Sequence, residues 1–188
     1  MRGVVRAVAL GLVVGTFCMP LQARADTFIN PWGGLVFGND QAVSGFHSVG
    51  VTIGDAGHGL VGTETTVGLA PGFFGKGTEN YVLDLMAGVT IGKTFFSKTD
   101  HDMRPYGIVE GGTIRTSITG IGTGTDFVRN NLGMAWGGGT TVALTDSLQI
   151  RGDVLYHKAF RSHDAANSLN ANLENFHYWR GSIGLVIH

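Results

Sequence analysis

Four polar residues near the end of the sequence have the side-chain types that acyl transfer from a lipid requires. They are His157, Ser162, His163 and Asp164. A serine hydroxyl becomes a nucleophile when a nearby histidine accepts its proton. The residues that flank His157 and Ser162 form no recognised catalytic pattern, however, and exposed loop residues explain the set more simply. We therefore predict that the protein is not an enzyme, and a lipid-modifying enzyme that uses His157 and Ser162 stays as an alternative.

A second group of chemically active residues is charged and lies on strand-like stretches that are otherwise rich in glycine and serine. Within each stretch these charges fall on one face, and the opposite face is apolar. If the polar faces meet inside a barrel, acids and bases must pair, because an unpaired buried charge is costly. The sequence therefore predicts a polar network inside the lumen, formed by Glu64, Asp84, Arg151, Asp153 and Arg180.

Metal, cofactor and nucleic-acid sites have no signal in this sequence. The 7 histidines show no His-x-His spacing of the kind that binds zinc. The glycines of 122–124 and 137–139 do not lie between a strand and a helix, as a phosphate-binding loop requires. The 13 basic residues against 14 acidic ones form no basic patch. We predict no cofactor, no metal and no nucleic-acid partner.

The first 25 residues read as a secretory signal peptide. Arg2 and Arg6 form a positive head, an apolar run follows over 7–18, and Ala23-Arg24-Ala25 is a small-x-small cleavage pattern. The domain prediction is therefore a cleaved segment 1–25 and one mature domain over 26–188. Export out of the cytoplasm follows from the same pattern.

The mature sequence alternates between apolar and polar residues with a period of two, which indicates β-strands. We predict eight strands, at 28–37, 44–53, 59–70, 81–91, 105–116, 127–144, 148–160 and 176–188. The connections after the first, third, fifth and seventh strands are long, and those after the second and sixth are short. Long loops at one end and short turns at the other are typical of outer-membrane barrels. The predicted fold class is all-β, an eight-stranded antiparallel up-and-down transmembrane β-barrel.

The facing of the charges distinguishes a membrane barrel from a soluble one. A soluble barrel carries its charges outside, whereas a membrane barrel is apolar outside and polar inside. Only 14% of this sequence is charged, and the apolar faces of the clear strands hold almost no charge. This pattern favours a membrane barrel, with a soluble periplasmic β-barrel carrier as an alternative. Glu110 leaves the facing of the fifth strand open.

Aromatic residues cluster at the predicted strand ends, as expected for side chains at the level of lipid headgroups. Tyr178 lies among those at the long-loop end, and Phe95, Phe96 and Tyr106 lie at the opposite end. The sequence predicts an aromatic girdle on the long-loop side, formed by Phe73, Phe74, Tyr81, Phe127, Phe160, Phe176 and Trp179.

Four motifs lie along the predicted strands: the run Gly62–Phe74, Arg104-Pro105-Tyr106, Leu148–Asp153 followed by Tyr156, and Tyr178-Trp179-Arg180. These motifs resemble those of the small bacterial outer-membrane β-barrel family, OmpA-like and opacity-protein-like. The resemblance implies an eight-stranded barrel in the outer membrane of a Gram-negative bacterium, with no single shared activity. Family members usually end in Phe, and His188 stands there instead.

These observations together predict a structural and surface-interaction protein of the cell outer membrane. We expect a polar, plugged interior and loops that face the outside. The expected partners are outer-membrane lipid and lipopolysaccharide, the outer-membrane assembly machinery, and an extracellular ligand bound by the loops. A small gated pore is a further alternative, although eight strands leave little more room than their own side chains fill.

Overall fold

The computed structural model describes residues 27–38, 46–55, 60–73, 80–95, 102–118, 127–160 and 176–188. The predicted signal peptide and most of the loop residues therefore lie outside the described part. No helix among the described residues is long and apolar enough to cross a membrane.

Eight antiparallel strands form one closed barrel, in which each strand pairs with its neighbours in sequence and β8 pairs with β1. This confirms the predicted fold class. The strands are β1 Thr27–Phe37, β2 Phe46–Asp55, β3 Val61–Pro71, β4 Tyr81–Gly92, β5 Met103–Ile118, β6 Phe127–Thr145, β7 Leu148–Phe160 and β8 His177–Ile187.

The strand bounds differ from the predicted ones by one or two residues at an end, and strand pairing explains the largest difference in length. β5 extends from Met103 to Ile118 because its whole length pairs with β6, from Met103 opposite Val142 to Ile118 opposite Phe127. Local composition had suggested that β5 ended near Thr116. The register between β6 and β7 shifts at Ala143 and Thr145, beside the tight turn at 146–147.

Paired residues trace a row around the barrel that does not close on its starting residue, so the strands are inclined to the barrel axis. The row runs from Phe37 to Trp179, Tyr156, Trp136, Val109, Val89, Thr63 and Asp55, and returns to β1 at Thr27. We call the end where β1 finishes the loop end, since the connections there include 161–176. The opposite end is the turn end.

The two faces of the sheet differ sharply in polarity. The outer face is a band of exposed apolar side chains that includes Val49, Val67, Val89, Val109, Val154 and Ile183. Among the described strands, charged residues of the outer face lie only near strand ends, as with Asp55, Arg115 and Lys158. The inner face buries six charged side chains: Glu64, Asp84, Glu110, Arg151, Asp153 and Arg180. Apolar outside and charged inside is the reverse of a soluble barrel.

Candidate functional site

The lower part of the lumen, toward the turn end, is organised around Arg151 on β7. Its guanidinium donates two hydrogen bonds to Glu64 on β3, at 2.7 Å from Nη1 and 2.8 Å from Nη2. Its Nε lies 3.1 Å from Oδ2 of Asp153. Both terminal nitrogens of Arg151 thus bind Glu64, and its Nε binds Asp153. Bidentate arginine–carboxylate pairs are among the strongest hydrogen-bonded pairs in proteins.

An aromatic residue completes this lower group. The Tyr106 hydroxyl donates a hydrogen bond to Oδ1 of Asp153. The Tyr106 ring also lies under the guanidinium of Arg151, with its centroid 4.8 Å from Cζ. Ring and ion pair thus support each other, because a cation over an aromatic face gains electrostatic energy when water is excluded.

A separate ion pair lies closer to the loop end. Arg180 on β8 donates a hydrogen bond of 3.3 Å to Oδ1 of Asp84 on β4. The Tyr178 hydroxyl lies 3.5 Å from the other oxygen of Asp84, and the Arg180 guanidinium lies 4.3 Å from the centroid of the Trp32 ring. The structure thus places all five residues of the sequence-predicted network inside the barrel, but in two groups with one arginine each.

Glu110 is a buried carboxylate that sequence reasoning did not assign. It lies inside the barrel and accepts a hydrogen bond of 3.1 Å from the Thr66 hydroxyl, which itself lies 3.0 Å from the Thr52 hydroxyl. The strand register determines that Glu110 faces inward, because Glu64 pairs with Gly88, which in turn pairs with Glu110. Residues in one row share a face of the sheet, so an inward Glu64 requires an inward Glu110.

Inner glycines provide the space that these polar groups occupy. A Cβ added to Gly68 would lie 2.6 Å from Oδ2 of Asp84 and 2.9 Å from Nη1 of Arg180. A Cβ on Gly139 would lie 2.6 Å from Oδ1 of Asp153. The abundance of glycine in the sequence is therefore tied to the charged interior, since larger residues at these positions displace its ion pairs.

Apolar side chains fill the lumen at the loop end, and we call this group the loop-end cluster. Its members are Val36, Ala70, Phe73, Val82, Met86, Ile114, Ala159, Phe176 and Tyr178. Phe73 is central, because its ring meets those of Phe176 and Tyr178 edge-on at 5.2 and 5.4 Å between centroids. Gly72, with φ at +70°, adopts the backbone conformation that glycine favours at a turn.

This cluster corrects part of the predicted aromatic girdle. Phe73 and Phe176 are buried inside the barrel, so neither belongs to an outer girdle. The same correction applies to Tyr178 and, at the turn end, to Tyr106. The physical reason is the hydrophobic effect. A ring that packs into the loop end of the lumen is removed from water more completely than a ring on the rim.

Other residues of the predicted girdle lie on the outer face near the loop end. Phe160 and Trp179 are exposed there, and Tyr81 is half-buried. Phe74 and the side chain of Phe127 lie outside the described residues, as does Phe96. Trp136 and Tyr156 join Trp179 in an outer row of rings, with centroid distances of 4.8 and 5.1 Å.

The candidate catalytic histidine lies inside the barrel. His157 is 0% exposed and stacks on the Tyr178 ring, with 4.6 Å between centroids and 3° between planes. Neither of its nitrogens has a hydrogen-bond partner among the described residues. Ser162, His163 and Asp164 lie outside those residues. Within the described part of the chain, no group of three His, Cys, Asp or Glu side chains is arranged to hold a metal ion.

Comparison with solved structures decides the fold type. Neisserial surface protein A, NspA, has a TM-score of 0.62 and 12% identity, over 86% of this chain and 96% of that one. The N-terminal β-barrel domain of Pseudomonas aeruginosa OprF has a TM-score of 0.52 and 15% identity, over 86% and 95%. This chain has the fold of the small outer-membrane β-barrels.

Another small outer-membrane β-barrel of this fold is Ail, the attachment invasion locus protein of Yersinia pestis. In complex with the heparin analogue sucrose octasulfate, it has a TM-score of 0.51 and 10% identity, over 86% of this chain and 96% of that one. No protein-family model and no curated protein matches the sequence. At these identities the likeness is one of fold.

Proposed function

We propose that this chain is an integral outer-membrane protein with a structural and surface-interaction role. Its barrel anchors it in the membrane, and its loop end faces the outside of the cell. The observation that carries the proposal is the inverted polarity of the barrel, with exposed Val109 and Ile183 outside and the paired Arg151 and Glu64 inside. The apolar outer face is compatible with contact with lipid, and the closed sheet leaves no unpaired strand edge.

The lumen serves in this proposal as a plug and not as a channel. Two ion-paired groups occupy it, and the loop-end cluster lies above them. Ions crossing the barrel have to displace both the salt bridges and Phe73. The prediction is therefore that the protein adds no discrete conductance steps to a planar lipid bilayer. Regular steps whose size changes in an Arg151→Gln variant would instead establish the gated pore.

The loops supply the interaction surface. The connections at the loop end include 161–176, whereas that between β6 and β7 at the turn end is only 146–147. A barrel inserted with its short turns toward the periplasm exposes the longer loops to the outside. The partners in this proposal are lipopolysaccharide around the barrel, the assembly machinery that inserts it, and an extracellular ligand held by the loops. No catalytic role is assigned to His157 or Ser162.

Attachment of whole cells tests the surface role. Cells producing the wild type should adhere to plastic coated with extracellular matrix better than cells that lack the protein. Replacing 162–174 by a Gly-Ser linker of equal length should reduce this attachment, while the variant still migrates as a folded barrel on unheated gels. A matched linker at Asp146-Ser147, in the short turn, is the control. Equal attachment by both linker variants and the wild type would overturn the loop assignment.

A further inference from the structure

Among the described residues, the charges near the two ends of the barrel differ in sign. Near the loop end, the charged residues of the described outer face are both basic: Arg115 on β5 and Lys158 on β7. Near the turn end, the described charges are mixed: Asp55 lies on the outer face of β2, and Asp102, Asp146 and Lys93 lie in the connections. The described part of the outer face thus presents positive charge at the level where the proposed function places the outer leaflet.

Arg115 and Lys158 lie on either side of one strand, β6. Arg115 pairs with Asn130 of β6, and Lys158 pairs with Met134 of β6. The Nζ of Lys158 lies 5.9 Å from the centroid of the Phe160 ring, and Phe160 is the last residue of β7. The lysine side chain therefore runs toward the loop end, as lysines do when they carry their charge out of an apolar layer.

Neither cation has an acidic partner among the described residues. The buried ion pairs there use Arg151 and Arg180, and the described carboxylates of the outer face lie at the turn end. Basic side chains at the edge of an apolar band attract anionic headgroups. Arg115 and Lys158 are thus the basic groups that the described rim offers to a ligand with negative charge at headgroup level.

Between the two cations, the outer face of β6 is strongly apolar. Leu132 is 72% exposed, the largest exposed fraction among the large hydrophobic side chains of the described chain. Met134 and Trp136 continue the same face toward the middle of the barrel, each 40% exposed. Phe160, paired with Leu132, widens this surface next to Lys158. Acyl chains lie favourably along such a surface, with their headgroup between the two cations.

We propose that the outer face of β5, β6 and β7 at the loop end is a specific binding site for the lipid anchor of lipopolysaccharide. Arg115 and Lys158 bind its phosphate groups, and Leu132, Met134 and Trp136 contact its acyl chains. A headgroup with more than one phosphate suits two cations separated by a strand better than a single phosphodiester does. This inference rests on the proposed membrane location and adds a named ligand site to it.

Lipid binding to the purified, folded full-length chain tests the site. The protein is placed in nanodiscs of neutral phospholipid and titrated with fluorescently labelled deep-rough lipopolysaccharide. The affinity of the double variant Arg115→Gln/Lys158→Gln should be lower by about tenfold or more, since it loses two charge-assisted contacts. Lys93→Gln is the matched control, because Lys93 also lies 5.9 Å from a phenyl ring, that of Phe95, but at the turn end.

Two further ligands separate the phosphate chemistry from general charge. Lipopolysaccharide stripped of its phosphates should bind the wild type as weakly as the double variant binds the intact ligand. Phosphatidylglycerol should bind the wild type and the double variant alike. The inference is overturned if the double variant stays within twofold of the wild type, if Lys93→Gln weakens binding equally, or if phosphatidylglycerol binds as tightly. If the nanodisc protein keeps its folded gel mobility in these cases, the proposed function survives and only this site falls.

Discussion

Arg151 and Glu64 meet across the lumen in a bidentate ion pair, with donor–acceptor distances of 2.7 and 2.8 Å. One residue comes from β7 and the other from β3, so the pair joins strands that are not neighbours in the sheet. Their side chains are 5% and 3% exposed. A contact of this kind joins opposite sides of the barrel through side chains, in addition to the backbone ladders between neighbouring strands.

Removing one partner of this pair should destabilise the barrel strongly. Arg151→Met leaves Glu64 and Asp153 buried without their cation, which costs about 3–5 kcal/mol. Urea unfolding in lipid vesicles, followed by tryptophan fluorescence, measures the free energy of unfolding. Adding Glu64→Gln to Arg151→Met should restore part of the loss. Asp146→Asn, in the exposed turn, is the control and should change little; a comparable loss there would contradict the role of the pair.

Gly68 should tolerate no side chain, because its missing Cβ makes room for Asp84 and Arg180. We expect Gly68→Ala to lower the free energy of unfolding by about 1–3 kcal/mol, the usual cost of overpacking. Gly111→Ala is the control, since nothing lies within 4 Å of its added Cβ, and replacing a strand glycine by alanine at an open position stabilises by about 0.5–1 kcal/mol. Equal effects of the two substitutions would contradict this account of Gly68.

A charge placed on the apolar band should disturb membrane insertion according to its depth. Ile183 is 65% exposed and lies midway along β8. Ile183→Arg should destabilise the barrel in vesicles by about 2–4 kcal/mol, whereas Leu60→Arg, beside the start of β3 at the turn end, should cost about 0–1 kcal/mol. Folding yield and urea midpoint in vesicles report both values. A cost at Ile183 no larger than at Leu60 would argue that the band does not face lipid.

Phe73 should matter more than a ring on the outer face. Phe73→Ala removes a 0% exposed side chain from the loop-end cluster, and such changes cost about 3–5 kcal/mol. Phe160→Ala removes the same ring from a position that is 40% exposed and should cost clearly less. Thermal unfolding of both variants in detergent micelles gives the comparison. The assignment of Phe73 to the interior fails if the Phe160 variant is the less stable one.

The alternation of side chains made much of this structure predictable from the sequence. An inward Glu64 and an outward Val67 follow from period two alone, because successive residues of a strand point to opposite faces. The same rule places Tyr178 on the face of Arg180, yet its position near a strand end had suggested the rim. For aromatic residues at strand ends, the parity of the position was a better guide than nearness to a loop.

Other features depended on long-range pairing that local sequence does not contain. The facing of Glu110 follows from its row with Gly88 and Glu64, which requires the register of three strands. Phe73 points into the barrel directly after Gly72, whose φ is positive. The composition of this turn does not by itself tell whether the ring points inward or outward. The division of the polar network into two groups likewise depends on which strands face each other across the lumen.

The mobility of the protein on gels, with and without boiling, tests the central claim most directly. A closed barrel in the outer membrane resists sodium dodecyl sulfate until it is heated, because every strand edge is paired. We predict that outer-membrane fractions contain the protein and that the unheated sample migrates faster than the boiled one. A protein found in the soluble periplasmic fraction, with the same mobility before and after boiling, would contradict it.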